Sequence, residues 1–138
     1  TTELGHVLVF GLERLAPDVC FAWRLREHVT AAGGVMALAH PFRSGGPVDR
    51  GRTAGLFDAL EAVNGSDGPA LNRSAAGLAG GLRLPGLGGS DAHALHEVGT
   101  AATLFEVPVR DEETFLAALR AGRYRAVDLR GRTGVPEA

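Results

Sequence analysis

The sequence predicts an α/β fold, and three observations predict it. Short apolar runs alternate with amphipathic stretches, the mark of repeated βα units. Polar residues with metal-binding or hydrogen-bonding side chains stand directly behind several of those runs. The chain has 138 residues, 45% of them hydrophobic, enough for one buried core. About six strands with intervening helices suit either a piece of a (β/α) barrel or an open parallel sheet, and both architectures put chemistry at strand C-termini.

The elements follow in order. His6 to Gly11 reads as a strand. Asp18 can open a helix carrying Phe21, Leu25, Val29 and Ala32 at helical spacing, ended by Gly33 and Gly34. Val35 to Ala39 is a continuous apolar strand that runs into His40 and Pro41. A Gly- and Arg-rich connection over 43–52 leads through a short helix to a strand at Ala59 to Val63, which stops at Asn64 and Gly65. Leu71, Ala75, Leu78 and Leu82 share one helical face. A brief strand, Leu84 to Leu87, ends in the run Gly88-Gly89-Ser90-Asp91-Ala92-His93. A strand near Ala101 to Phe105, a helix from Asp111 to Ala121 closed by Gly122, and a strand near Tyr124 to Asp128 complete the pattern. Residues 1–129 form one domain in this reading, and 130–138 are a polar, frayed C-terminal tail.

Composition excludes several functions. The formal charge is −2, from 14 basic and 16 acidic residues mixed along the chain, so a nucleic-acid partner is left open but gains no support. All the basic residues are Arg; without Lys, a lysine nucleophile or Schiff base is excluded within this chain. No stretch approaches the roughly 18 apolar residues that span a bilayer. Cys20 is the one cysteine and is expected to pack in the core beside Val19, Phe21 and Trp23, which points to a cytoplasmic protein. No GxxxxGK[ST], GxGxxG or GxSxG motif stands in the context its chemistry needs.

The histidines carry the clue. His40 terminates an apolar strand, where its ring would project from the rim and Pro41 would fix the departing backbone. Asp91 and His93 are spaced i, i+2, so in extended backbone both point the same way and can grip one metal or bridge two. Gly88 and Gly89 permit a turn or a close backbone approach. His40, Asp91 and His93 are therefore the candidate metal-ligating and catalytic residues. His6 begins a strand instead of ending one, which in a parallel sheet places it at the wrong rim. His96 is either a proton shuttle behind the metal ligands or a surface residue, and His28 lies on an ordinary amphipathic helix. Arg43 follows His40 closely enough to fork onto a phosphate, or is a solvated loop residue. Asn64 could orient substrate, though Asn before Gly is also a routine turn pair. Mixed imidazole and carboxylate ligands suit Zn²⁺, Mn²⁺ or Fe²⁺. Such a cation lowers the pKa of bound water and offsets charge on a phosphoryl oxygen, so hydrolysis is the natural chemistry.

The ordered set GHVLVFG, GGVMALAHPFR, DALEAVNG, GLGGSDAH and VGTAATLFE resembles the later motifs of the PHP (polymerase and histidinol phosphatase) family of metal-dependent phosphoesterases, including its C-terminal PHP-associated segment. The likeness runs from about Thr2 to Asp128. It implies a partial, distorted (β/α)7 barrel lacking its N-terminal strands, with up to three metals in a cleft at the strand C-termini. His40 then matches the ligand of the HP motif, Asp91 and His93 match the final motif, and His6 matches a GH position near the metals. Arg43 and Asn64 have counterparts around the cleft. The substrate would be a small phosphorylated compound or nucleotide, hydrolysed as a phosphomonoester or phosphodiester. The family's early H-x-H motif is not in this chain, and its bridging Glu would fall just before Thr1, so Glu3 is not expected to be a ligand. The chain is accordingly expected to be a fragment of a longer product, or a reduced relative that closes its edges as a homodimer. A PHP-derived binding or structural module without catalysis is the alternative, and an amidohydrolase on a similar metal barrel is a third reading.

Overall fold

The structure is a computed structural model and describes residues 1–14 and 20–131. Strand β1 (Val7–Phe10) is followed by helix α1 (Ala22–Ala31), strand β2 (Val35–Leu38), helix α2 (Arg50–Leu56) and strand β3 (Ala59–Asn64). Helix α3 (Pro69–Leu82), strand β4 (Gly86–Gly89), strand β5 (Ala101–Phe105), helix α4 (Glu112–Ala121) and strand β6 (Tyr124–Asp128) complete the order.

These elements do not form part of a barrel. Strands β1 to β4 make one mixed sheet in the order β1-β2-β3-β4, and β5 and β6 make a separate two-stranded sheet. The βα alternation suggested parallel strands throughout, yet β1 pairs antiparallel with β2, Val7 opposite Leu38 and Phe10 opposite Val35. Only β2-β3 and β3-β4 are parallel. Strand β5 folds antiparallel against β6, although a helix joins them. Hydrophobic periodicity reports which residues are buried; it is silent on strand direction, and direction is what separates a barrel from this layered arrangement.

Strand β2 shows why the sheet is stable. All four of its residues are buried, because both faces are covered. Met36 and Leu38 face a cluster built with Ala22, Leu25 and Val29 of α1 and Leu78 and Ala79 of α3. Val35 and Ala37 face the opposite cluster, with Leu87, Leu119 of α4 and Tyr124 of β6, joined at its margin by Phe10, Phe105 and Phe115. Helix α1 starts at Ala22, so the i, i+3, i+7 positions Ala22, Leu25 and Val29 turn inward. Phe21 and Trp23 are left on the surface, with the Arg24 guanidinium over the Trp23 ring. Cys20 is likewise exposed and not a core residue, because it precedes the first helical turn that packs. The expected helix start at Asp18 lies outside the described residues. Helix α4 begins and ends as its residues suggest: the Asp111 carboxylate accepts from Thr114 N–H at 2.8 Å, and Gly122 closes it with φ 64°. Of the expected polar tail, residues 132–138 lie outside the described residues; Arg130, at its start, donates to the carbonyl of Asp67 at 2.6 Å.

The two sheets are joined at Gly88. Thr103 Oγ1 accepts from Gly88 N–H at 2.9 Å and donates to the Gly88 carbonyl at 2.9 Å. A Cβ on Gly88 would stand 2.2 Å from the carbonyl oxygen of Ala102, so β4 can approach β5 this closely only without a side chain. We predict that Gly88→Ala destabilises the chain by about 2–3 kcal/mol, because backbone meets backbone and no side chain can yield. Gly77, inside α3, has nothing within 4 Å of its Cβ position. Gly77→Ala is expected to stabilise by about 0.5–1 kcal/mol through helix propensity. Urea denaturation of both variants checks the pair, and similar shifts in one direction would contradict this account of the junction.

Candidate functional site

The antiparallel course of β1 decides where His6 lies. His6 was expected at the wrong rim because parallel strands would put it there. Reversal of β1 instead sets it opposite the C-terminal end of β2, where Ala39 N–H donates to the His6 carbonyl at 3.0 Å. His40 follows, and its Nε2 is 3.1 Å from His6 Nδ1 with the ring centroids 4.9 Å apart. Two nitrogens that each stand about 2.0–2.1 Å from a tetrahedral zinc are roughly 3.3–3.4 Å apart. The pair thus has the separation of two ligands to one cation, and equally that of an N–H···N hydrogen bond.

His40 and Asp91 both have left-handed backbone, with φ 25° and 49°. Side-chain-bearing residues adopt that region at a cost, and such positions gather at functional sites. What holds His40 is Glu61: the His40 N–H donates to Glu61 Oε2 at 2.8 Å. The same oxygen accepts from Asn64 Nδ2 at 3.0 Å. Asn64 is buried, and its Oδ1 accepts from Arg43 Nη2 at 2.9 Å and from Ser66 N–H at 2.8 Å. Asn72 completes the turn, exchanging hydrogen bonds of 3.0 Å with both backbone groups of Asn64.

Arg43 links this turn to the next loop. Its Nε donates to Asp67 Oδ1 at 2.9 Å and its Nη1 to Asp91 Oδ2 at 2.5 Å. Burial opposes ionisation of Asp91, but the Arg43 guanidinium, with help from Asn64, outweighs it and holds the carboxyl below its ordinary range. Beyond Asp91, His93 Nδ1 is 2.8 Å from the Asp91 carbonyl. That acceptor assigns the proton to Nδ1 and leaves Nε2 with a free lone pair, the tautomer of a metal-binding histidine. The His93 backbone is fixed by its N–H donating to Glu97 Oε2 at 2.7 Å. His96 stands on the surface and His28 is exposed on α1. Glu3 is engaged elsewhere: its carboxylate accepts from Ala22 N–H, capping α1, and pairs with Arg52.

Glu61, Asp67 and Asn72 were missed in reading the sequence. The signal for Glu61 was there: a lone carboxylate inside the apolar strand ALEAVN needs a buried partner. Glu61 also borders a cavity of about 340 Å³ walled by Leu8, Phe10, Leu87 and Phe105.

The residues as they stand do not complete a metal centre. Among the described residues, no group of three or more His, Cys, Asp or Glu is gathered to hold a cation. His6 Nδ1 and His40 Nε2 stand 3.1 Å apart, and the Asp91 carboxylate is held by Arg43. Both residues expected on substrate, Arg43 and Asn64, are engaged by protein partners.

Comparison with known proteins now bears on this rim. Residues 69–124 match the family model described as PHP-associated. That stretch is similar to the C-terminal, PHP-associated segment of PHP proteins. That PHP-associated segment runs from α3 to the first residue of β6 and includes Asp91 and His93, while His6, His40, Arg43 and Asn64 lie before it. Of solved structures, the chain is similar to the crystal structure of PsfC from Pseudomonas syringae PB-5123, with 28% identity and a TM-score of 0.75. The match covers 90% of this chain and 54% of that one, so the chain spans about half the length of PsfC. No curated protein matches. Among the described residues, no helix is long and apolar enough to cross a membrane.

Burial pushes the Glu61 carboxyl up; the Asn64 and His40 hydrogen bonds and the His40 charge only partly offset this, and Asp91 adds to it. A raised folded-state pKa contributes stability that is whole below the ordinary value of 4.5 and is lost as pH rises through the folded value. Glu61→Gln keeps an oxygen for both donors and removes the titration. Relative to the parent, this variant should gain stability as pH rises from about 4 to about 7, as followed by urea denaturation. A difference that is flat with pH, or that runs the other way, would contradict the assignment.

Proposed function

We propose that this chain is part of a PHP-type metal-dependent phosphoesterase, which hydrolyses a phosphomonoester or phosphodiester, and that the chain supplies only part of the ligand set. The observation that carries this reading is the meeting of His6 and His40, from antiparallel strands, at 3.1 Å on the rim that also bears Asp91 and His93. A divalent cation, Zn²⁺, Mn²⁺ or Fe²⁺, is the cofactor in this reading. The chain's own contribution is to present two imidazoles toward one point and the free Nε2 of His93, with Glu61 fixing the His40 backbone. A small phosphorylated compound or nucleotide is the substrate class.

A second reading, a PHP-derived binding or structural module without catalysis, is favoured by the ion pair between Arg43 and Asp91, which occupies a carboxylate that the reaction would need.

Metal content and p-nitrophenol release separate the two. Using the natural protein that carries this chain, loaded with Mn²⁺ or Zn²⁺, p-nitrophenyl phosphate and bis-p-nitrophenyl phosphate should be hydrolysed. His40→Ala should lower metal affinity and turnover by about 100-fold or more, while His28→Ala leaves both unchanged. Absence of p-nitrophenol release with either metal and either ester would overturn the enzymatic reading in favour of the module.

A further inference from the structure

We infer that Arg43 competes with a cation for Asp91: the guanidinium joins the loops after β2, β3 and β4, and a divalent ion binding the Asp91 carboxylate must contend with the positive charge already held on Oδ2. The inference deepens the proposed function, since it concerns the same rim, and it rests on that reading.

The geometry is specific. Three guanidinium nitrogens are used on three partners: Nε on Asp67, Nη1 on Asp91 and Nη2 on Asn64, at 2.9, 2.5 and 2.9 Å. Asp67 is buried, with its side chain 6% exposed, so its carboxylate requires a counter-charge from the protein. Arg43 provides it, and the planar fork of a guanidinium serves a second carboxylate at no further cost in ordering. Asn64 fixes the fork's orientation because its own amide is anchored on Glu61. Asp91 therefore meets an organised positive group delivered by the chain. A cation binding beside it would face electrostatic repulsion from a guanidinium that cannot lose its proton. Arg43 is thus a positioning residue whose charge works against metal affinity at Asp91.

The experiment titrates Mn²⁺ and Zn²⁺ into the natural protein by isothermal calorimetry, comparing the parent with Arg43→Gln. Because Arg43→Gln strips the buried Asp67 of its partner, the double variant Arg43→Gln/Asp67→Asn is run beside it, with circular dichroism to establish that each is folded. Either folded variant should bind the ions at least tenfold more tightly than the parent, and adding Asp91→Asn should erase the gain. Affinity unchanged or weakened by loss of Arg43, a gain that survives Asp91→Asn, or no binding by any variant would overturn the inference. The phosphoesterase reading stands or falls on turnover and its loss in His40→Ala, so either can fail alone.

Discussion

One guanidinium organises the functional rim. Without Arg43, the buried Asp67 carboxylate would lose its ion-pair partner and Asp91 its principal one. With it, the HPFR turn after β2, the Asn64 turn after β3 and the Asp91 loop after β4 are tied to a common point. Charge-assisted hydrogen bonds of this kind are about twice as strong as neutral ones, and the fork adds direction to strength. Glu61 extends the network in the other direction, through Asn64 and the His40 N–H. The left-handed backbone at His40 and Asp91 persists because both residues are held by it.

The sheet beneath serves this rim. Strand β2 is buried on both faces, so its end is a rigid base from which His40 leaves. The antiparallel pairing of β1 then brings a second histidine, His6, from a sequence position 34 residues away. The paired strands themselves lie outside residues 69–124, which contribute Asp91 and His93 and pack against β2 through Leu78 and Leu119. The rim is a junction between residues upstream of 69 and the PHP-associated match at 69–124, and Arg43, the β3-β4 pairing and the Asn64–Asn72 hydrogen bonds all join the two.

Much of the fold was legible in the sequence. Most strands and helices left a periodic or capping signature, down to Asp111 and Gly122 at the ends of α4, but β4 lies at Gly86–Gly89, two residues beyond the Leu84 to Leu87 run. What left no trace was strand direction, and the expected partial barrel and the misplacement of His6 both follow from that gap. Cys20 and its aromatic neighbours were expected inside because hydrophobicity alone was weighed; the start of α1 at Ala22 turned them outward. At the candidate site, the residue types at strand ends could be read. Their partners did not follow, because which carboxylate an arginine chooses depends on three loops whose approach no local pattern encodes.

The most direct test of the account is a double-mutant cycle on unfolding free energy with Arg43→Gln and Asp91→Asn. Contacting groups in one hydrogen-bonded network couple by about 0.5–3 kcal/mol, and the partial exposure of this pair places it toward the lower half of that range. A coupling of about 1 kcal/mol is the result this account requires. Additive effects, with no coupling beyond about 0.3 kcal/mol, would mean that the guanidinium does not hold the Asp91 loop and that the rim is organised by something else.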